Sequence, residues 1–249
     1  MPPSDSASSS GTAVNTPSSS SPSPSPLTPA RSATPKLRLE IRDLAHPGAA
    51  SFLSAITASA VLQSAVSSVL SLLYETRENP TSTRSVTLVL REKPGVAYTV
   101  GTELDSDHKE IHFSLGYISR IQEGRVRDEI TGVLVHELVH CFQYNGKGTC
   151  PSGLIEGLAD WVRLRCHLAN PPPHWKRDTS KGWDAGYERT AYFLEYLEGR
   201  FGVGTVRRVN AALREEKYVE DTFWPRLFGR SVKELWAEYC GEVEGKARA

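Results

Sequence analysis

The residues of this chain whose types and spacing could do chemistry together are His136-Glu137-Leu138-Val139-His140. Histidines at i and i+4 share one helical face, so two neutral imidazoles about one turn apart can reach a single metal ion. Zinc binds imidazole nitrogen at roughly 2.0–2.1 Å, a distance that such a pair can supply. The intervening Glu137 emerges beside them, placed to take a proton from water that the ion acidifies. With 7 His and 20 Glu in 249 residues, chance gives about 0.016 occurrences of His-Glu-x-x-His per chain, for a pattern with a known zinc mechanism. A histidine pair on an apolar helix can instead be hydrogen-bonded core; the glutamate in register argues for the metal.

A third ligand is needed. A histidine six residues after His140 would complete the metzincin pattern, but that position is Gly146. A glutamate on the following helix is the other route. Glu156 and Asp160 are i and i+4 there, among Leu154, Ile155, Leu158, Ala159 and Trp161, and acids inside an apolar segment need partners. Glu156 is therefore expected to ligate Zn²⁺, and Asp160 to accept the free ring N–H of a zinc histidine and fix its tautomer.

These side chains need elements to hold them. Leu37–Arg42 alternates apolar and charged residues as a half-buried strand. A helix is expected over roughly 49–76, closed by Asn79-Pro80. Ser85–Leu90, Val96–Val100 and Glu110–Leu115 read as strands, separated by turns at Lys93-Pro94-Gly95 and Asp105–His108. The metal helix spans roughly 124–144. Ser152 is expected to cap the next one, which runs to Asn170 before Pro171-Pro172-Pro173. Helices over 186–199, 203–216, 219–228 and 231–242 complete the chain. Strands before 116 and helices after 124 predict an α+β fold, an N-terminal mixed sheet with helices and a mostly helical C-terminal lobe.

Residues 1–36 hold 12 Ser, 8 Pro and 4 Thr, too few large apolar side chains to offset the entropy of ordering, so they are expected to form a disordered tail. The domain is then 37–249. Taking Arg31, Lys36 and Asp5 of the tail from 29 basic and 29 acidic residues leaves 27 against 28. A body so balanced has no electrostatic footprint for nucleic acid or an anionic membrane. Residues 47–74 are uncharged, but frequent Ser and Thr argue for a buried amphipathic helix rather than a span. The start of the chain lacks the basic and apolar regions of a secretory signal. Cys141, Cys150, Cys166 and Cys240 are expected as buried free thiols, with a Cys141–Cys166 bridge as the alternative in a secreted chain.

Three stretches carry a resemblance: His136–Gly148 (HELVHCFQYNGKG), Pro151–Leu164 (PSGLIEGLADWVRL) and Gly182–Leu194 (GWDAGYERTAYFL). Together they resemble the plant basic secretory protein family, also called peptidases of plants and bacteria, with similar proteins in fungi. The strands and helices from about 37, and the closing Leu235-Trp236, are compatible with it, so the resemblance covers about 37–242. It implies a zincin-like metallopeptidase fold, with His136, His140 and Glu156 as zinc ligands, Glu137 as base and Asp160 behind a ligand. The Glu156/Asp160 pair is similar to that of thermolysin-like gluzincins, although those have Asn where this chain has Ile155. The family's name fits neither the neutral charge nor the lack of a visible signal, from which a cytoplasmic or non-classically secreted chain is expected, while the resemblance itself suggests an extracellular address.

By analogy with zincins, Tyr187 is the candidate donor to a developing oxyanion, with a helix-start Tyr packed on the core as the alternative; His174 is a second candidate, with an exposed loop histidine as its alternative. Glu110–Leu115 is expected to be the edge strand on which a peptide adds, presenting His112 and Ser114, with an internal, fully paired strand as the alternative. Arg163, three residues after Asp160, is expected to pair with it. The function expected is hydrolysis of peptide bonds in a peptide or protein substrate by a monomer. The alternative is a zinc-binding defence or interaction protein with little turnover, which an occluded cleft would favour.

Overall fold

The structure is a computed structural model and describes residues 34–75 and 82–248. The chain forms β1 (Lys36–Ile41), α1 (Pro47–Ala55), α2 (Ala58–Leu73), β2 (Ser85–Arg91), β3 (Ala97–Gly101), β4 (His108–Ser114) and α3 (Leu115–Ile118). Then come α4 (Val126–Phe142), α5 (Ser152–Arg165), α6 (Tyr187–Phe201), α7 (Thr205–Glu215), α8 (Glu220–Phe228) and α9 (Val232–Arg248). The expected α+β class holds, with a four-stranded mixed sheet and a helical second half. The expected tail lies outside the described residues except for its last three, and Lys36 already belongs to β1.

The sheet order is β1-β2-β4-β3, with β1, β2 and β4 parallel and β3 antiparallel to β4. Register aligns Leu88 with Ile111 and Ile111 with Thr99, so these residues share one face. That face meets the helices: Val86, Leu88, Leu90, Ile111 and Phe113 join the core of Phe52, Leu62, Val66, Val69 and Leu73. On this face α2 lies toward β1, and α4 toward β3 and β4.

α4 is buried continuously from Ile130 to Val139, as expected of a helix apolar all round. It is the central beam of the domain, between the sheet, α2 and α5. Gly132 serves this packing, because a Cβ there would come within 2.4 Å of the Arg163 side chain.

Three local expectations need correction. The helix expected over 49–76 is two helices bent by 67°, since Ile56 and Thr57 are both extended and β-branched residues favour that conformation. No single helix among the described residues is long and apolar enough to cross a membrane; Asn79-Pro80 lies outside them. Ser152 does not cap α5: Pro151 is the N-cap residue and no side chain bonds there. α5 also stops at Arg165 rather than at the prolines, because His167 turns left-handed at φ 54° and so breaks the helical run.

α5 and α6 meet through glycine. A Cβ on Gly153 would lie 1.7 Å from the Asp184 carbonyl oxygen, and one on Gly157 2.3 Å from Thr190 Cγ2. This close approach brings the start of α6 alongside Glu156. Thr190 fixes that start, its hydroxyl accepting from Gly186 N–H and donating to the Trp183 carbonyl.

Candidate metal centre

α4 and α5 bring three ligand atoms together. His136 Nε2 lies 3.1 Å from Glu156 Oε2 and 3.1 Å from His140 Nε2, and the third side, His140 Nε2 to Glu156 Oε2, is 3.8 Å. Four ligands at roughly 2.0–2.1 Å in a tetrahedron stand about 3.3–3.4 Å apart, so the triangle has the dimensions of one tetrahedral face.

The ring nitrogens facing away from this triangle have partners. His136 Nδ1 is 2.7 Å from Asp160 Oδ1, and His140 Nδ1 is 2.7 Å from Gln143 Oε1. The Asp160 carboxylate can only accept, and the Gln143 amide nitrogen donates to the Ile155 carbonyl. Both imidazoles therefore carry hydrogen on Nδ1 and turn an Nε2 lone pair inward when neutral. Two lone pairs and a carboxylate converging on one point suit a cation. Without a metal, that cation is a proton. Burial alone would lower the pKa of His136, but hydrogen bonds to Asp160 and Glu156 raise it to about 10. His140 goes the other way, lowered by burial and by the neighbouring His136 charge. Glu156 is partly buried, yet its contacts with both histidines hold its carboxyl below the ordinary value.

Glu137, on α4 between the two histidines, is buried beside the triangle. Thr99 of β3 donates its hydroxyl to Glu137 Oε2 at 2.7 Å. Tyr187 begins α6 with φ 50°, directly after Gly186 at φ 86°. Its ring lies nearly parallel to that of His136, centroids 6.1 Å apart, with 54% of the residue exposed. The nearby Glu156 charge, and then burial, push the Tyr187 phenol above its ordinary value. A cleft of about 960 Å³ connects these groups and is lined further by Val133, Arg163, His174 and Trp175.

A family model described as peptidase of plants and bacteria matches residues 34–239. The chain belongs to this family. No curated protein and no solved structure matches the chain. Membership makes it a peptidase by family, for which peptides or proteins are the substrate class, and the centre above lies within the matched residues.

In this family member the expected His136, Glu137, His140, Glu156, Asp160 and Tyr187 come together at one cleft. His112 and Ser114 do not. Their strand, β4, is interior, paired with β2 on one side and β3 on the other, so the expected edge belongs to β3. His112 is buried on the far face of the sheet, stacked on Tyr98 and within 3.0 Å of Glu110. Ser114 is equally buried, donating to the Lys93 carbonyl and capping α3. Arg163 is not paired with Asp160, whose carboxylate is taken by His136. It binds Glu129 at 3.1 Å and stacks on Trp175. His174 is exposed at the cleft, and the four cysteines are free, with only Cys141 fully buried.

Two further side chains, Gln143 and Thr99, bond to the expected site residues. Gln143 follows His140 by three residues, a spacing that puts both on one side of the helix end. Thr99 had no local signal, because its role depends on which strand lies beside α4.

Proposed function

We propose that this peptidase is a zinc-dependent enzyme of zincin-like fold, with His136, His140 and Glu156 holding the ion and Glu137 as general base. The observation that carries this reading is the triangle of ligand atoms at 3.1, 3.1 and 3.8 Å, with both outward ring nitrogens already bonded. Two imidazoles and a carboxylate suit zinc, and three protein ligands leave a coordination position open, as in catalytic sites. When bound, zinc supplies a Lewis acid that polarises the scissile carbonyl and acidifies water.

The chain's own residues do the rest. Glu137 takes the proton from water and returns it to the nitrogen of the leaving amine. Asp160 and Gln143 hold the two histidine rings in the tautomer that offers Nε2. Tyr187, at the cleft rim, offers its hydroxyl to the developing oxyanion. The outer edge of β3 receives the substrate. Val96 C=O and Thr102 N–H pair with β4, so alternation turns the N–H and C=O groups of Ala97, Thr99 and Gly101 toward the open edge. An extended peptide adds there by main-chain hydrogen bonds.

The open cleft and half-exposed Tyr187 favour the enzyme over a non-catalytic zinc-binding interaction protein. Every group of the site comes from one chain, so a monomer suffices. Purified protein should bind one zinc per chain and cleave unfolded casein. Glu137→Gln should keep the zinc and lose about 10²- to 10⁴-fold in kcat/KM, the range of general acid–base assistance. Stoichiometric zinc without cleavage of any member of a broad peptide library would sink the catalytic reading.

A further inference from the structure

Glu137 is the side chain on which the proposed reaction turns, and one of its carboxylate oxygens is held. The Thr99 hydroxyl lies 2.7 Å from Glu137 Oε2 and 3.0 Å from the Glu137 backbone carbonyl. It has one proton to give, and the charge-assisted bond to the carboxylate is the shorter and stronger of the two. Oε1 has no hydrogen bond among the described residues, and Glu137 lines the cleft. The carboxylate is thus divided into one anchored oxygen and one working oxygen.

The anchor is on the strand with the open edge. Thr99 is the middle residue of β3, aligned with core-facing Ile111, so its side chain turns toward α4. Its backbone groups turn outward, because Tyr98 and Val100 use theirs on β4. One residue therefore meets Glu137 through its hydroxyl and the open edge through its amide and carbonyl.

We propose that Thr99 is the positioning residue of this site: its hydroxyl fixes the orientation of Glu137 while its main chain pairs with the substrate backbone, setting both from one point of β3. A substrate docked in register on Thr99 is then placed against the base that acts on it, the kind of pre-alignment that loses about 10²-fold when geometry slips by an ångström. This rests on the peptidase reading above.

The test uses the full chain with zinc bound. Thr99→Val keeps the β-branched shape and the main chain but removes the hydroxyl, and Thr99→Ser keeps the hydroxyl. Three quantities are measured: zinc per chain, kcat on a peptide cleaved by the wild type, and affinity for that peptide in the Glu137→Gln background. Thr99→Val should keep zinc and peptide affinity within about twofold and lose about 10- to 100-fold in kcat. Thr99→Ser should recover most of kcat. A second peptide, N-methylated in turn at each main-chain position, should lose affinity at alternate residues, as strand pairing requires. Unchanged kcat in Thr99→Val, or loss in Thr99→Ser equal to that in Thr99→Val, would overturn the role of the hydroxyl. Affinity indifferent to N-methylation would overturn that of the main chain. A wild type that cleaves nothing would overturn the peptidase reading and this inference with it, whereas the preceding outcomes overturn this inference alone.

Discussion

At the scale of residues, the centre depends on what each histidine does with the nitrogen that does not face the metal position. Asp160 and Gln143 take those two nitrogens at 2.7 Å each, and this orients both Nε2 lone pairs inward. Such outer partners typically account for 10- to 100-fold in metal affinity, so Gln143→Ala should weaken zinc binding by about that factor in a competition titration with a chelator. Normal affinity in that variant would remove Gln143 from the site. The same titration has a pH dependence with a definite sign. His136 in the metal-free protein stays protonated up to about pH 10, while lowered pKa values leave His140 neutral and Glu156 ionised near neutrality. Zinc must displace the one proton, so uptake between pH 7 and 9 should release at least one proton per ion, with a further contribution from the water that the ion acidifies, and tighten as pH rises. Calorimetry in buffers of different ionisation enthalpy measures this number directly.

At the scale of elements, α4 and α5 were largely legible, and the reasons are local. α4 carries the His-Glu-x-x-His spacing inside an apolar run, and α5 carries Glu156 and Asp160 one turn apart. The position of α6 was not legible, because it depends on what two glycines leave out. A methyl on Gly153 would strike the Asp184 carbonyl oxygen, a backbone atom with no rotamer in which to yield. Gly153→Ala should therefore destabilise the domain by about 1–3 kcal/mol or more, and displace the 183–187 segment that carries Tyr187. An unchanged urea midpoint would show that α5 and this segment do not touch as described. The sheet edge is the complementary case. Glu110–Leu115 alternates like a half-exposed strand, yet the residues expected outward, His112 and Ser114, are 6% and 1% exposed. A strand with neighbours on both sides and one with a single neighbour share the same alternation, so the pattern alone could not separate β4 from β3.

At the scale of the whole molecule, the proposed ion is a cross-link. It joins α4, which rests on the sheet, to α5, which carries the helical second half through α6. A ligand that binds only the folded chain at 100 times its Kd adds about 2.7 kcal/mol of stability. For a domain of this size each kcal/mol moves Tm by about 2–4 °C. Stripping zinc with a chelator should therefore lower Tm by about 5–10 °C, and adding zinc back should restore it. A Tm indifferent to zinc would mean that the ion does not bridge the two helices.

The sequence by itself determined which groups could do chemistry: two imidazoles and a carboxylate at helical spacing, an acid pair one turn apart on the next helix, and the stretches that resemble a peptidase family. Those features are local, and helix geometry fixes them wherever the helices go. The tertiary structure decided that Glu156 reaches both histidines, that β3 and not β4 is the sheet edge beside α4, and that Thr99 and Gln143 bond to Glu137 and His140. Each of these depends on contacts between segments far apart in the chain, and strand order and helix approach are set by packing rather than by any spacing within one segment.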